Sequence, residues 1–255
     1  MGLDGACATI YGPIKSRRHG ESLGVNLGSP TQKICSWGCI YCQCGAGENR
    51  AIGDADGVPS AERILAAAKT TLRHSGALDS VTIAGNSEPT AHPEFLKIVR
   101  ELRKFKYAMR APWILNCLSN GSELEKPEVL QACGLLDEIW LKLDAGTEDL
   151  FKKVNHPISK IGTLAQHVAR IKRVKNPRVQ SLFWLCDKSP VASNWNEVNR
   201  RALVDAYREI APVDIHLTTV SREPASKGLT AVPVQELQAF GDQLRTFGFR
   251  VGVFP

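Results

Sequence analysis

The chain has no apolar run near the about 18 residues that a membrane-spanning helix requires. Its first residues, MGLDGACATIYG, lack the basic start and long apolar stretch of a secretory signal. Both absences point to a cytoplasmic protein. No Pro/Gly/Ser-rich linker, composition shift, repeat or low-complexity tract interrupts the 255 residues, so one domain over 1–255 is expected. The six histidines show no metal-ligand spacing. Charge of one sign is also in short supply: the net +6 permits an anionic partner without specifying one. Disulfide stapling is disfavoured as well. Three of the eight cysteines fall within eight residues, too close together to tie distant parts of a fold, and in a reducing cytosol such clusters bind metal or do chemistry.

What is present reads as a globular α/β chain. Apolar residues make up 43% and charged residues 23%, enough apolar content for a core. Six strand-like runs are SLGVNL (22–27), SVTIA (80–84), WILNCL (113–118), EIWLKLD (138–144), VQSLFWLC (179–186) and VDIHLTTV (213–220). Helical patterns alternate with them. Ile64, Leu65, Ala68 and Leu72 follow Ser60 as N-cap, and Phe95, Ile98, Val99, Leu102 and Phe105 follow Pro93 in the first turn. Further stripes are Leu164, Val168 and Ile171, then Val198, Ala202 and Ala206, then Leu237, Phe240, Leu244 and Phe247 closed by Gly248. This alternation predicts parallel strands with right-handed crossovers, a partial (β/α)6 TIM-like barrel. Residues 1–21 form an N-terminal extension, 22–220 hold the core strands, and 221–255 carry a C-terminal helix and FRVGVFP (249–255), an extra edge strand. Ligands of such folds gather at the carboxyl ends of the strands.

Directly after the first strand, CSWGCIYC sets Cys35, Cys39 and Cys42 in a C-x3-C-x2-C arrangement. Three thiolates can each hold one iron of a [4Fe–4S] cube and leave the fourth iron open to a small molecule. Gly38 suits a loop curling around a cube. Adding Cys44 gives four cysteines for tetrahedral zinc, but Cys42-Gln43-Cys44 is cramped beside the usual paired C-x2-C units.

The segment CSWGCIYC resembles the signature of the radical S-adenosylmethionine superfamily, C-x3-C-x-aromatic-C. The run YGPIKSRRHGESLGVNL (11–27) is similar to the branch that includes the wyosine-forming tRNA enzymes. Four further motifs stand in register: AGNSEPTAHPEF after strand two, LSNGSEL after strand three, LDAGTEDLFKKVNHP after strand four and TTVSREPASKGL after strand six. The resemblance implies that Tyr41 lies against the adenine of S-adenosylmethionine. It also implies that the superfamily's Gly-Gly-Glu element, here Asn86-Ser87-Glu88-Pro89, binds the methionine ammonium through Ser87 and Glu88. A carboxylate at position 88 suits an ammonium, although SEPT also reads as a helix cap. Asn120 of Ser119-Asn120-Gly121 can bond the ribose hydroxyls, or serve only a tight turn.

Lys142 and Asp144 share one face of strand four. The lysine can bind the cofactor carboxylate, hold an acidic substrate, act in catalysis, or simply pair with Asp144, and an inward lysine needs some such partner. Cys44, Cys117 and Cys186 fall near motif or strand ends. One of them, with Cys186 the catalytic candidate, can donate a hydrogen atom or ligate metal, and a buried structural cysteine is the alternative. Cys7 and Cys133 carry no signal. Arg17, Arg18 and Arg222 are expected at the barrel mouth, gripping an anionic substrate with their planar forks. The basic residues of 97–110 and 170–178 read as solvated outer-helix faces rather than a nucleic-acid track.

The resemblance implies an enzyme that reductively cleaves S-adenosylmethionine at its cluster to methionine and a 5′-deoxyadenosyl radical, which takes hydrogen from a substrate. An external electron donor such as flavodoxin or ferredoxin is implied. A short, incomplete barrel suits a large substrate such as a tRNA base or a protein segment; a small-molecule isomerase or cyclase is the alternative. A non-catalytic iron–sulfur or zinc binding module would have no use for motifs at strand ends two, three and four. With only Cys7 upstream, the second cluster of the wyosine-forming enzymes is not expected.

Overall fold

A computed structural model of the chain describes residues 8–45, 47–52, 57–186 and 193–255; Cys7 lies outside them. The described residues divide into two compact units, 1–36 with 47–139, and 37–46 with 140–255.

The first unit begins with a hairpin: β1 (Ile10–Ser16) runs antiparallel to β2 (Gly20–Val25). The expected extension is therefore, from Ile10 on, part of the sheet. Ser22 to Val25 of β2 pair in parallel with β5 (Ser80–Ile83), which pairs in parallel with β6 (Ile114–Ser119). Two short strands, β3 (Ile34–Cys35) and β4 (Glu48–Asn49), pair separately. Helix α1 (Ala61–His74) starts where expected, with the Ser60 side chain accepting from the Arg63 amide, and buries Ile64, Leu65, Ala68 and Leu72. Helix α2 (Phe95–Ala108) buries Phe95, Ile98, Val99 and Leu102. Its N-cap is Glu94, so Pro93 lies before the first turn rather than in it. The basic residues of α2 are largely spent on ion pairs: Lys97 with Glu62 and Glu94, Lys104 with Glu101, Lys106 with Asp137. A short helix, α3 (Pro127–Cys133), has too few apolar positions to announce itself in the sequence.

The boundary between the units falls inside β7 (Glu138–Lys142). In the second unit, β7 pairs in parallel with β8 (Arg178–Phe183), β8 with β9 (Asp214–Thr219), and β9 with β10 (Val251–Phe254). The expected extra edge strand is thus β10. Helix α4 (Glu148–Asn155) was not expected, while α5 (Leu164–Lys172) buries Leu164, Val168 and Ile171 as the pattern predicts. In α6 (Glu197–Ile210) the buried face is instead Asn199, Leu203, Val204, Tyr207 and Ile210, and Val198 is exposed. The expected stripe followed small and β-branched residues one position off the heavier Leu203–Tyr207 face. Helix α7 (Val234–Thr246) buries Leu237, Phe240 and Leu244, whereas Phe247 lies beyond its end and is exposed. Arg170 is buried rather than solvated, its guanidinium donating to the Ile161 carbonyl. No helix of the described residues is long and apolar enough to cross a membrane.

His167 of α5 is wholly buried, its Nε2–H donating to the Lys142 carbonyl at 2.8 Å and its ring packed against Trp37 and Phe151. Burial lowers its pKa from 6.5 to about 4, against the pull of that carbonyl. Because the unfolded chain binds the proton first, stability is full above pH 6.5 and falls as pH drops toward 4. The loss is about 3 kcal/mol over that window. Urea melts at pH 7.5 and pH 4.5 measure it, and His167→Gln should flatten the slope; an unchanged slope would assign the acid loss to other groups.

Candidate functional site

In the first unit, the carboxyl ends of β2, β5 and β6 bring one group of polar residues together. Asn26, just past β2, accepts from the Gly28 amide at 2.9 Å and the Asn86 amide at 3.4 Å. Asn86 in turn donates to the Ser29 and Gln32 carbonyls. The loops are so close that a Cβ at Gly28 would lie 2.3 Å from Asn86 Oδ1 and 2.6 Å from Ser87 Oγ, so only glycine fits. Ser87 is half-buried there.

Glu88 is buried and caps a short 3₁₀ turn, Pro89–Ala91. Its Oε1 accepts from the Thr90 amide (3.0 Å), the Thr90 hydroxyl (2.6 Å) and the Ser119 hydroxyl (2.6 Å). Its Oε2 accepts from the Asn120 amide at 2.7 Å. Burial pushes the carboxyl above its ordinary pKa, and these hydrogen bonds pull it back. The cap role and a role toward a ligand are therefore compatible at Oε2, which carries one bond and has a second lone pair. Asn120 does more than turn the chain. Its Nδ2 reaches Ser36 Oγ at 3.0 Å and Cys35 Sγ at 3.7 Å, and its Oδ1 accepts from the Ser122 amide. Glu88, Asn120 and Cys35 thus form one chain of contacts.

The second unit holds Cys39 and Cys42. Their loop is fixed by backbone bonds from Gly38 to the His156 carbonyl, Ile40 to Val154, Ala225 to Cys42 and Ser226 to Ile40. Asn155, at the end of α4, donates through Nδ2 to Cys39 Sγ (3.5 Å), Tyr41 Oη (3.3 Å) and Asp144 Oδ2 (3.2 Å). The Tyr41 hydroxyl donates to Asp144 Oδ2; burial first, and then Asp144, raise that phenol well above its ordinary pKa and keep it protonated. Asp144, wholly buried, also pairs with Lys142 at 2.9 Å and accepts from the Leu182 amide at 2.8 Å. Lys142 Nζ sits 5.0 Å from the Tyr41 ring centroid, and Trp184 tilts against that ring at 5.4 Å. Tyr41, Lys142 and Asp144 are therefore brought together. No pattern in the sequence marks Ser36, Asn155 and Trp184 as contacts, although they lie in the quoted segments CSWGCIYC, LDAGTEDLFKKVNHP and VQSLFWLC.

The three motif cysteines form no disulfide among the described residues and are half-buried. Among the described residues, no group of three or more His, Cys, Asp or Glu side chains is drawn together around a single ion. The surroundings do fit thiolates holding a cluster: Cys35 and Cys39 each face an amide N–H donor anchored by other bonds, an arrangement that stabilises negative sulfur. Without a cation, burial pushes the Cys39 thiol up to about 11, partly offset by Tyr41 and Asn155. A bound cation would reverse that balance.

Other expected residues fall elsewhere. Arg17 and Arg18 form the β1–β2 turn, where the Arg18 and His19 amides donate to Ser16 Oγ. Residues that precede a strand meet its amino end. The β2–β5 register therefore puts both arginines about 17 Å of strand away from the Glu88 end, which corrects their expected place at the mouth. Burial and Arg17 lower Arg18 to about 10. Arg222 is exposed in the loop after β9, at the carboxyl end of that strand and in the segment whose Ala225 and Ser226 hold the cysteine loop. Cys117 is buried within β6, and its raised thiol feels burial, then Glu88 and Cys133 of α3. It thus faces the helices, as a structural cysteine does. Cys44 and Cys186 are half-buried.

Residues 29–183 match the model of the Radical SAM superfamily. A "UPF0026 protein" of Helicobacter pylori (strain J99) is 28% identical over 220 residues, covering 86% of this chain and 68% of that protein. The fold is similar to that of Streptococcus suis SuiB bound to precursor peptide SuiA, with TM-score 0.65 and 12% identity. That match covers 90% of this chain and 48% of SuiB, so the chain spans about half of that structure's length; SuiB is also solved bound to S-adenosylmethionine. TYW1 with a lysine–pyruvate adduct bound is similar with TM-score 0.57 and 15% identity, over 88% of this chain and 73% of TYW1. These likenesses show the α/β partial-barrel fold class expected of the sequence.

Proposed function

This chain belongs to the radical SAM superfamily, a radical S-adenosylmethionine enzyme by family, and from that premise we propose how its own residues serve the chemistry. Membership implies a [4Fe–4S] cluster and S-adenosylmethionine as cofactors. When bound, the cluster supplies the electron that splits S-adenosylmethionine into methionine and a 5′-deoxyadenosyl radical, which takes hydrogen from the substrate.

Cys35, Cys39 and Cys42 would hold the cluster, one thiolate to an iron. The observation that supports this most is the pair of anchored amides, Asn120 on Cys35 and Asn155 on Cys39. Glu88 would accept the methionine ammonium at Oε2, with Ser87 beside it. Asn120 couples that contact to Cys35. Tyr41 offers its ring to the adenine, held in orientation by Asp144 and Asn155, while Lys142 neutralises Asp144. Cys186 and Arg222 face substrate rather than cofactor. The electron comes from an external carrier such as flavodoxin or ferredoxin. The substrate is a macromolecular segment, a reading supported by a similar fold that binds a precursor peptide. A cytoplasmic setting suits these reduced thiols.

Glu88→Gln tests the cofactor assignment. It keeps the shape and removes the charge, so S-adenosylmethionine affinity should fall by about one to two decades while iron content stays near the wild-type value. Anaerobic equilibrium dialysis alongside iron assay reads both. Unchanged affinity would move the ammonium site elsewhere, and loss of iron would assign Glu88 to the support of Cys35.

A further inference from the structure

We propose that the β1–β2 turn is a phosphate site, formed by Arg18 with Arg17 beside it. It lies at the amino end of β2, about 17 Å of strand from the Glu88 end. The inference goes beyond the proposed function: this phosphate anchors a ligand and is not its reacting group.

Arg18 is half-buried. Its Nη1 is buried and has no hydrogen-bond partner, and among the described residues its side chain joins no ion pair. Charged side chains are almost never buried unless paired, because the hydration they lose is not returned. What acts on this guanidinium is burial first and then the like charge of Arg17, which together lower it to about 10. Burial, with Arg18 next, lowers His19 to about 4, so the imidazole stays neutral beside them. The acids of this region are engaged elsewhere. Asp79 Oδ2 accepts from the Glu21 amide at 2.8 Å, and Glu21 stands directly opposite Lys15 in the β1–β2 ladder.

The turn is both fixed and reachable. Ser16 Oγ accepts from the Arg18 amide at 3.3 Å and the His19 amide at 3.1 Å, and the His19 carbonyl accepts from the Ser80 hydroxyl at 2.9 Å. Arg17 is exposed and Arg18 keeps part of its surface, so a ligand can approach from solvent. A guanidinium spreads its charge over the whole planar group, and an anion at its open edge therefore offsets the charge carried inward by Nη1. A carboxylate offers two oxygens and one charge, enough for a single fork. A phosphate spreads its charge over a tetrahedron of oxygens and can meet two forks at an angle, which suits neighbouring arginines. The phosphate can belong to a small ester or to a nucleic-acid backbone.

The experiment uses the anaerobically reconstituted full chain at constant ionic strength. Melting temperature is read in inorganic phosphate, in acetate and in chloride, and a labelled uridine decamer is titrated by fluorescence anisotropy. Saturating phosphate should raise the wild-type melting temperature by roughly 2–4 °C over chloride, and acetate should give less than about half that shift. Arg18→Met keeps the apolar stem and should weaken phosphate binding at least about tenfold. In chloride it should melt no lower than wild type, since it removes an unpaired buried charge. Should Arg18→Met fail to fold, Arg17→Met, at an exposed position, should still weaken phosphate about threefold or more. Lys175→Met removes the same charge from the exposed segment after α5 and should leave affinity within about twofold. A decamer bound more than about tenfold tighter than phosphate, and released by Arg18→Met, identifies a nucleic-acid source; a decamer bound no tighter identifies a small ester. Equal losses in Arg18→Met and Lys175→Met would reduce the effect to overall charge and overturn the proposal. So would equal shifts in phosphate and acetate, no binding of phosphate or decamer, or a lower melting temperature of Arg18→Met in chloride.

Discussion

Replacing Cys35, Cys39 or Cys42 with Ala should each reduce iron from about four per chain to near zero in anaerobically reconstituted protein. The visible absorption that dithionite bleaches should vanish with it. The expectation is all-or-none because each thiolate supplies one corner, and the loss of one leaves two irons of the cube without protein ligands. Cys44→Ala is the comparison, since Cys44 lies outside the motif and should keep its iron. Asn155→Ala and Asn120→Ala should retain the cluster but alter its reduction potential, because they remove the N–H donors on Cys39 and Cys35 rather than the sulfurs. Stoichiometric zinc without iron, or iron retained in a single cysteine variant, would overturn the assignment.

The second large effect is expected at Asp144. Its wholly buried carboxylate takes the Tyr41 hydroxyl, the Asn155 amide, the Leu182 backbone N–H and the Lys142 ammonium. Asp144→Ala takes this acceptor from the Tyr41 hydroxyl, the Leu182 N–H and the Lys142 ammonium at once, while Asn155 keeps Cys39 and Tyr41, and stranding one buried charge of a pair costs about 3–5 kcal/mol. Urea denaturation should show that loss, and S-adenosylmethionine binding should weaken because Tyr41 and Lys142 lose their orientation. Asp144→Asn combined with Lys142→Met removes both charges together and should cost less than the sum of the two single changes. Additive costs would mean that Lys142 and Asp144 stabilise the protein independently, and that the pair is not a unit.

The arginine turn shows where local reading errs and why. Arg17 and Arg18 stand next to strand one in the sequence, and nearness alone suggests a place at the mouth. A residue preceding a strand can only meet its amino end, and the antiparallel return of β1 fixes the turn there. Arg222 and Glu88 follow their strands, and so they lie at carboxyl ends. The α6 face shows a subtler limit. Several spacings of apolar residues satisfy a helical period, and only packing selects Leu203 and Tyr207 over Val198.

By itself the sequence determined the strand–helix order, the parallel α/β class, the cysteine spacing and the motifs at strand ends. Those properties depend on period, on local capping and on chain direction, all of which act within a few residues. The tertiary structure alone decided which polar groups answer one another. Asn120 meets Cys35 across 85 residues, Tyr41 meets Asp144 across 103, and Asn155 meets Cys39 across 116. Such partners share no repeat or spacing. They are chosen by strand register and by the need to satisfy each buried polar atom, and that requirement has no meaning until the chain has folded around it.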